Sequence, residues 1–138
     1  MKILEISELA SRIARRRSEG KTIVHCHGCF DLMHPGHIKY FQAARKMGDV
    51  LLVTISPDRF VDKGPGRPAF NEDLRAESIA ALECVDYVAI NKRPTAEETL
   101  RLIRPDIYVK GQEFENMVDK TGKIQKEFEV VKKIGSKI

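Results

Sequence analysis

No stretch of the 138 residues approaches a membrane span in unbroken apolar length, and the N-terminus carries no secretory apolar core. Cysteine is scarce: Cys26, Cys29 and Cys84 lack the even, patterned spacing of a disulfide framework. These absences exclude a spanning helix and a disulfide scaffold, and a cytoplasmic protein is expected. Internal repeats and low-complexity segments are missing too, and the length suits one domain with a sizeable core. The three-glycine dinucleotide fingerprint is absent, because Gly28 is not followed by two further glycines at the required spacing. A large excess of one charge is missing as well, with 24 Lys and Arg against 20 Asp and Glu. A net charge of +4 suits a polyanionic partner, but so small an excess does not separate nucleic acid from a nucleotide. Without a basic, aromatic-interleaved pattern, neither nucleic acid nor membrane is expected as a partner.

What is present is an alternation. The pattern predicts strands at 22–27, 50–55, 86–90 and 106–110, with helices at about 35–47, 72–83, 96–103 and 124–134. That order describes a parallel α/β domain. Local signals agree: Thr95-Ala96-Glu97-Glu98 reads as a capping box, Asn71 as an N-cap, and Gly48 and Gly135 as helix stops. An earlier helix is expected to be capped by Ser7, with Leu9 and Ile13 on its apolar side. Arg15-Arg16-Arg17 then forms a solvated end where cations suit the helix dipole. After Gly135 the alternation calls for another strand, and Ser136-Lys137-Ile138 looks like its beginning. The expectation is a single domain lacking its C-terminal strand and helix.

The densest chemistry lies between the first strand and the next helix, in Gly28-Cys29-Phe30-Asp31-Leu32-Met33-His34-Pro35-Gly36-His37. Pro35 suits a first helical turn, where its missing N–H has no intrahelical acceptor to lose. That turn favours an anion. His34 and His37 are three apart and project from one side of it, with Gly36 leaving no side chain between them and a ligand. Nucleotidyl or phosphoryl transfer needs such donors to grip charge growing on phosphate oxygens. Plainer readings compete. Either histidine alone is more often structural, and Cys26-x-x-Cys29 beside His25 and His27 has zinc-like spacing. No second Cys pair follows, and Cys26 sits in an apolar strand, which favours buried structural thiols over a metal or redox site.

Gly28-Cys29-Phe30-Asp31 followed by His34-Pro35-Gly36-His37 resembles the cytidylyltransferase-like nucleotidyltransferase superfamily, whose first motif is G-[T/C]-F-D followed by HxGH. Lys63-Gly64-Pro65-Gly66-Arg67-Pro68, a helix containing Arg75, and Arg104-Pro105-Asp106-Ile107-Tyr108-Val109-Lys110-Gly111 narrow the likeness. They look like the C-terminal adenylyltransferase domain of the bifunctional heptose-phosphate kinase/adenylyltransferases, from about Lys21 to Gln112. Glycerol-phosphate cytidylyltransferases are similar over a shorter stretch. Two departures stand out: His27 where the heptose domains usually have asparagine, and Gln112-Glu113 where they have glycine and aspartate.

The resemblance implies a Rossmann-like three-layer α/β/α sandwich with a parallel sheet of order 3-2-1-4-5, the last strand truncated or absent. It implies joining of a nucleoside triphosphate, ATP favoured, to a sugar 1-phosphate, giving a nucleotide-sugar of carbohydrate or lipopolysaccharide metabolism and pyrophosphate. Mg²⁺ would come with the triphosphate, and a homodimer is implied. A phosphate nucleophile is mostly dianionic at neutral pH, its second pKa being about 6, so the lack of a nucleophile-base pair is no obstacle. By resemblance His34 and His37 serve the triphosphate, and Gly28, Cys29, Phe30, Gly36, Arg75, Lys110 and Gly111 hold the nucleotide, the Phe30 N–H meeting phosphate oxygens. Lys39 reaches a phosphate or is solvated surface. Arg75 has an alternative in an ion pair with Glu72 or Glu77. Asp31, Lys63 and Arg67 face the acceptor, or else cap the helix and form a solvated turn. The alternatives of function are a CTP-using glycerol-phosphate-type enzyme, and a nucleotide-binding module inactive through loss of the family's Ser/Thr-rich C-terminal motif.

Overall fold

The computed structural model describes residues 2–28, 30, 35–57, 71–92 and 97–109. Within them the elements run α1 (Ile6–Ser18), β1 (Ile23–Gly28), α2 (Pro35–Arg45), β2 (Val50–Ile55), α3 (Glu72–Ala80), β3 (Tyr87–Ile90), α4 (Glu97–Ile103) and β4 (Ile107–Val109). The strands pair in parallel in the order β3-β2-β1-β4. This is the 3-2-1-4 part of the expected sheet. The fifth strand, the helix at 124–134 and the Thr95-Ala96 half of the capping box fall outside the described residues.

β2 is buried along its whole length and β1 at five of six positions, as a parallel sheet covered on both faces requires. Alternation along the strands sorts side chains between two cores. On one face Val24, Cys26, Leu51, Val53, Ile55 and Val88 meet Phe41 and Ala44 of α2 and Ala76 and Ile79 of α3. Ile23, Val50, Leu52, Tyr87 and Ala89 point the other way, toward Leu9 and Ile13 of α1 and Ile103 of α4. Burying each large aliphatic side chain contributes about 1.5–3 kcal/mol. The layering follows from the strand order. Right-handed crossovers running β1 to β3 in one direction lay α2 and α3 on one face, and the return to β4 carries α4 across the other.

Several local expectations shift by a residue or more. Ser7 lies inside α1 and does not cap it. Glu5 holds the cap position with extended backbone, and the Leu9 N–H donates to the Glu5 carbonyl at 2.8 Å. The cause is tertiary: residues 2–4 pair with the outer edge of β3, through Leu4 N–H to Val88 O and Val88 N–H to Lys2 O, both 2.9 Å. Extended pairing ends at Leu4, so the helix starts at once, and the edge strand is covered. α2 ends at Arg45 and α3 at Ala80, both earlier than expected, in tightened i→i−3 turns with Met47 N–H on Ala44 O and Leu82 N–H on Ile79 O. Gly48 is needed for closeness, since a Cβ there would fall 2.7 Å from Val24 Cγ2. Asn71 caps α3 as expected, its Oδ1 accepting from Leu74 N–H at 2.9 Å.

The arginine triplet is exposed but not merely solvated. Arg16 donates to the Tyr87 hydroxyl at 3.2 Å and lies 3.4 Å from a Glu19 carboxylate oxygen. Arg17 donates to the carbonyls of Ile103 and Arg104, satisfying the end of α4. Three aspartates fix strand entry in a repeated way. Asp49, Asp86 and Asp106, each just before its own strand, accept from Thr22, Leu51 and Ile23 N–H at 2.8, 2.9 and 2.7 Å.

Candidate active site

Strand order reverses between β1 and β4, and in open α/β sheets ligands bind in the crevice beyond the carboxyl ends of the strands at such a point. The carboxyl end of β1 and the start of α2 lie at this point of the sheet. Of the candidate residues, Gly28, Phe30, Gly36, His37, Lys39 and Arg75 are described, whereas Cys29, Asp31, His34, Lys63, Arg67, Lys110 and Gly111 lie outside the described residues.

Gly28 does not turn the chain. It is the last residue of β1, in register with Ile55, and its carbonyl accepts from Ser56 N–H at 3.0 Å. The left-handed backbone belongs to Phe30, at φ 50°, a conformation that costs a residue with a Cβ about 1–2 kcal/mol. Gly28 instead makes room, because a Cβ on it would sit 2.9 Å from Phe30 Cζ.

α2 begins at Pro35, so Gly36 and His37 occupy its first turn at the carboxyl end of β1. His37 is half-buried and meets the Phe30 ring edge-to-face, centroids 5.9 Å apart. Further along the helix, Tyr40 donates its hydroxyl hydrogen to the Val109 carbonyl of β4 at 2.8 Å. The helix is thereby pinned across the crevice, a role for Tyr40 that its sequence context did not announce. Lys39 is exposed and sits two positions from His37, about 200° around the helix, so the two do not converge. Arg75 is 1% exposed and is the bulkiest fully buried side chain. A guanidinium is buried only with partners, which the nucleotide-holding role and the ion pair with Glu72 or Glu77 would each supply in part.

Strand alternation sets Cys26 apart from the two histidines of the zinc-like spacing, while Cys29 lies outside the described residues. Cys26 faces the α2/α3 core, while His25 and His27, one position either side, face the α1/α4 layer. The two imidazoles meet at one hydroxyl: Thr54 Oγ1 lies 2.7 Å from His25 Nε2 and 2.8 Å from His27 Nδ1, all buried. Tyr108 packs edge-to-face on His25 at 5.3 Å. Nearby, the Thr99 hydroxyl donates to Asn91 Oδ1 at 2.6 Å. Thr54 was missed because one threonine in the run Val50-Leu51-Leu52-Val53-Thr54-Ile55 carries no signal until its cross-strand neighbour is known. Among the described residues no group of three or more His, Cys, Asp or Glu is placed to hold a metal ion. Cys84 is half-buried, and burial pushes its thiol pKa up.

A depression of about 450 Å³ lies at the opposite edge of the sheet, between residues 3–5, α1 and α3. Its Glu5 and Glu8 carboxylates lie 3.4 and 3.3 Å from Lys92 Nζ and Arg12 Nη2, so these charges are already matched.

The cytidylyltransferase-like family model matches residues 25–138. The chain belongs to this family. As a cytidylyltransferase-like domain it is 43% identical over 115 residues to the bifunctional protein HldE of Trichlorobacter lovleyi, covering 82% of this chain and 23% of that protein. It is 44% identical over 115 residues to the HldE of Citrifermentans bemidjiense, covering 82% and 24%. The domain thus spans less than a quarter of the length of these relatives. A solved structure described as the lipopolysaccharide core biosynthesis protein from Thermoplasma volcanium superposes with TM-score 0.67 at 28% identity, covering 86% of this chain and 93% of that one. The pantoate-beta-alanine ligase of Francisella tularensis, at 18% identity and TM-score 0.65 over 100% of this chain and 65% of that one, shares the fold. The resemblance read from the G-C-F-D and H-P-G-H motifs and the Rossmann-like fold both hold. Among the described residues no helix is long and apolar enough to cross a membrane.

Proposed function

We propose that this cytidylyltransferase-like domain transfers a nucleotidyl group from a nucleoside triphosphate, ATP by preference, to a sugar 1-phosphate of the heptose class, releasing pyrophosphate. The observation that carries the reading is the start of α2, with Gly36 and His37 in its first turn, at the carboxyl end of β1 beside β4. A phosphate oxygen of the acceptor attacks the α-phosphorus, and the bond to the bridging oxygen of the β-phosphate breaks. The nucleophile is already charged, so the protein's task is positioning and charge neutralisation. His37 and, by family resemblance, His34 donate to triphosphate oxygens as charge grows on the leaving pyrophosphate. The Phe30 amide, Cys29, Lys110, Gly111 and Arg75 are assigned to the nucleotide, and Asp31, Lys63 and Arg67 to the acceptor. Mg²⁺ would arrive with the triphosphate as part of the substrate, supplying further neutralisation of phosphate charge.

Pyrophosphate release is the test, with ATP, CTP, GTP and UTP each paired with a set of sugar 1-phosphates and with glycerol 3-phosphate. ATP with a heptose 1-phosphate is expected to be fastest. CTP with glycerol 3-phosphate as the best pair would move the domain to the glycerol-phosphate type. His37→Ala should lower the rate at least 100-fold with an unchanged melting curve, and full retention of rate would remove His37 from the site.

A further inference from the structure

Phe30 presents a conflict that its own backbone does not explain. At φ 50° glycine or asparagine is the easier residue, yet the position carries a large ring. Strain of this kind persists where the surroundings over-determine it, so the cause is sought in what the ring touches. Its neighbours lie on one helix. The Phe30 centroid is 5.9 Å from His37 at an interplanar angle of 87°, 5.0 Å from Phe41 at 63°, and 6.3 Å from Tyr40 at 37°. All three belong to α2, and Tyr40 ties the same helix to β4 through the Val109 carbonyl. The other side of the ring lies over Gly28, where a Cβ would stand 2.9, 3.1 and 3.2 Å from Cζ, Cε2 and Cε1. The ring is thus wedged between the last residue of β1 and the helix that bears His37.

We propose that the Phe30 side chain is a positioning residue, which sets the orientation of the His37 imidazole, and that Gly28 is glycine to admit it. The proposal rests on the functional reading above, in which His37 donates to the triphosphate. The Phe30 ring reaches the reaction only through His37, whereas the amide of the same residue is the group assigned to the nucleotide. Edge-to-face packing biases the imidazole's orientation where aliphatic packing would not, because ring quadrupoles favour particular relative orientations by about 0.5–1.5 kcal/mol. A donor serving a transition state must be held to within a fraction of an ångström, and a misplacement of about 1 Å costs up to about 100-fold in rate. The wedge supplies this constraint at a half-buried residue in the first turn of α2. A purely structural ring would stabilise the fold without being coupled to His37.

Two readouts separate these cases. In the unsubstituted protein, NOEs between the Phe30 and His37 ring protons are expected, and Phe30→Leu or Phe30→Met should displace the His37 ring resonances by removing a ring current. Absence of the NOEs overturns the proposal whether or not the protein shows activity, and whether or not any variant folds. In the pyrophosphate assay, Phe30→Met is expected to lower kcat about 10- to 100-fold while KM for the triphosphate changes less than about threefold. Gly28→Ala, which leaves the phenylalanine but displaces its ring, should do the same. Combined with His37→Ala, Phe30→Met should add no further loss, since both act through one imidazole. Losses that multiply in the double variant, or an unchanged kcat in a variant that still melts cooperatively, would overturn it. If His37→Ala retains the full rate, the functional reading fails instead, and the NMR result stands separately as a statement about the two rings.

Discussion

The hydroxyl oxygen of Thr54 lies 2.8 Å from Nδ1 of His27, across the β1–β2 pairing and one residue before the turn that leads to His37. The same oxygen lies 2.7 Å from His25 Nε2. A threonine hydroxyl has one hydrogen, so it donates to at most one ring nitrogen and accepts an N–H from the other. The two imidazoles are therefore interlocked, and β1 and β2 are cross-linked near their carboxyl ends. His27, which stands where the resembled heptose domains usually carry asparagine, acquires its role from Thr54.

Thr54→Val keeps the shape and deletes the shared hydroxyl. Leaving buried imidazole nitrogens without this partner should lower stability by about 1–3 kcal/mol, read from urea unfolding midpoints. An unchanged midpoint would show that the hydroxyl contributes nothing to holding the two strands.

Asp106 accepts from Ile23 N–H at 2.7 Å, and the Ile23 carbonyl accepts from Asp106 N–H at 2.9 Å, which sets where β4 meets β1. Asp106→Ala should cost about 1–2 kcal/mol, and Asp106→Asn, which keeps an acceptor oxygen, clearly less. Equal losses in the two variants would mean that charge, not the hydrogen bond, is what matters.

Arg104 follows α4 at φ 51°, with its N–H on the Leu100 carbonyl at 2.8 Å. This is a left-handed helix end at which glycine is preferred. Because the Arg17 bond goes to the Arg104 main chain, it survives substitution. Arg104→Gly should stabilise by about 1 kcal/mol, seen as a higher melting temperature, and a lower one would show that the arginine side chain matters more than the backbone.

Burial raises the Cys84 thiol pKa. Iodoacetamide at pH 8 should therefore alkylate Cys84 more slowly than a small free thiol, while fully buried Cys26 reacts only on unfolding. The sign for stability follows. A raised folded-state pKa makes a contribution that is complete below the ordinary thiol value of about 8.5 and lost as pH climbs through the higher one. Peptide mapping after timed alkylation decides it, and a Cys84 rate matching the small thiol would refute the shift.

Much of the fold was legible along the chain. Val50–Ile55 forms a strand at the bounds its apolar run predicts, Asn71 caps α3, and Pro35 opens α2 at the motif that marks the site. Errors fell where a distant segment overruled a local cue. Ser7 lost the cap to Glu5 because residues 2–4 pair with β3, and Arg17 spends its side chain on α4 instead of on solvent. After β1 the left-handed backbone sits on Phe30, and only packing reveals that Gly28 must clear space for a ring.

Sequence alone determined the alternation of strands and helices, the glycine and proline chemistry around the first crossover, and the family to which these motifs belong. Those signals act over a few residues, through side-chain periodicity and permitted backbone angles. Tertiary structure decided which side chains share a face: Cys26 apart from His25 and His27, Thr54 between two imidazoles, Phe30 against His37, and Tyr40 against β4. Those relations depend on parallel strand register between segments separated by tens of residues. A parallel register is settled only when crossovers, edge pairing and both cores close together.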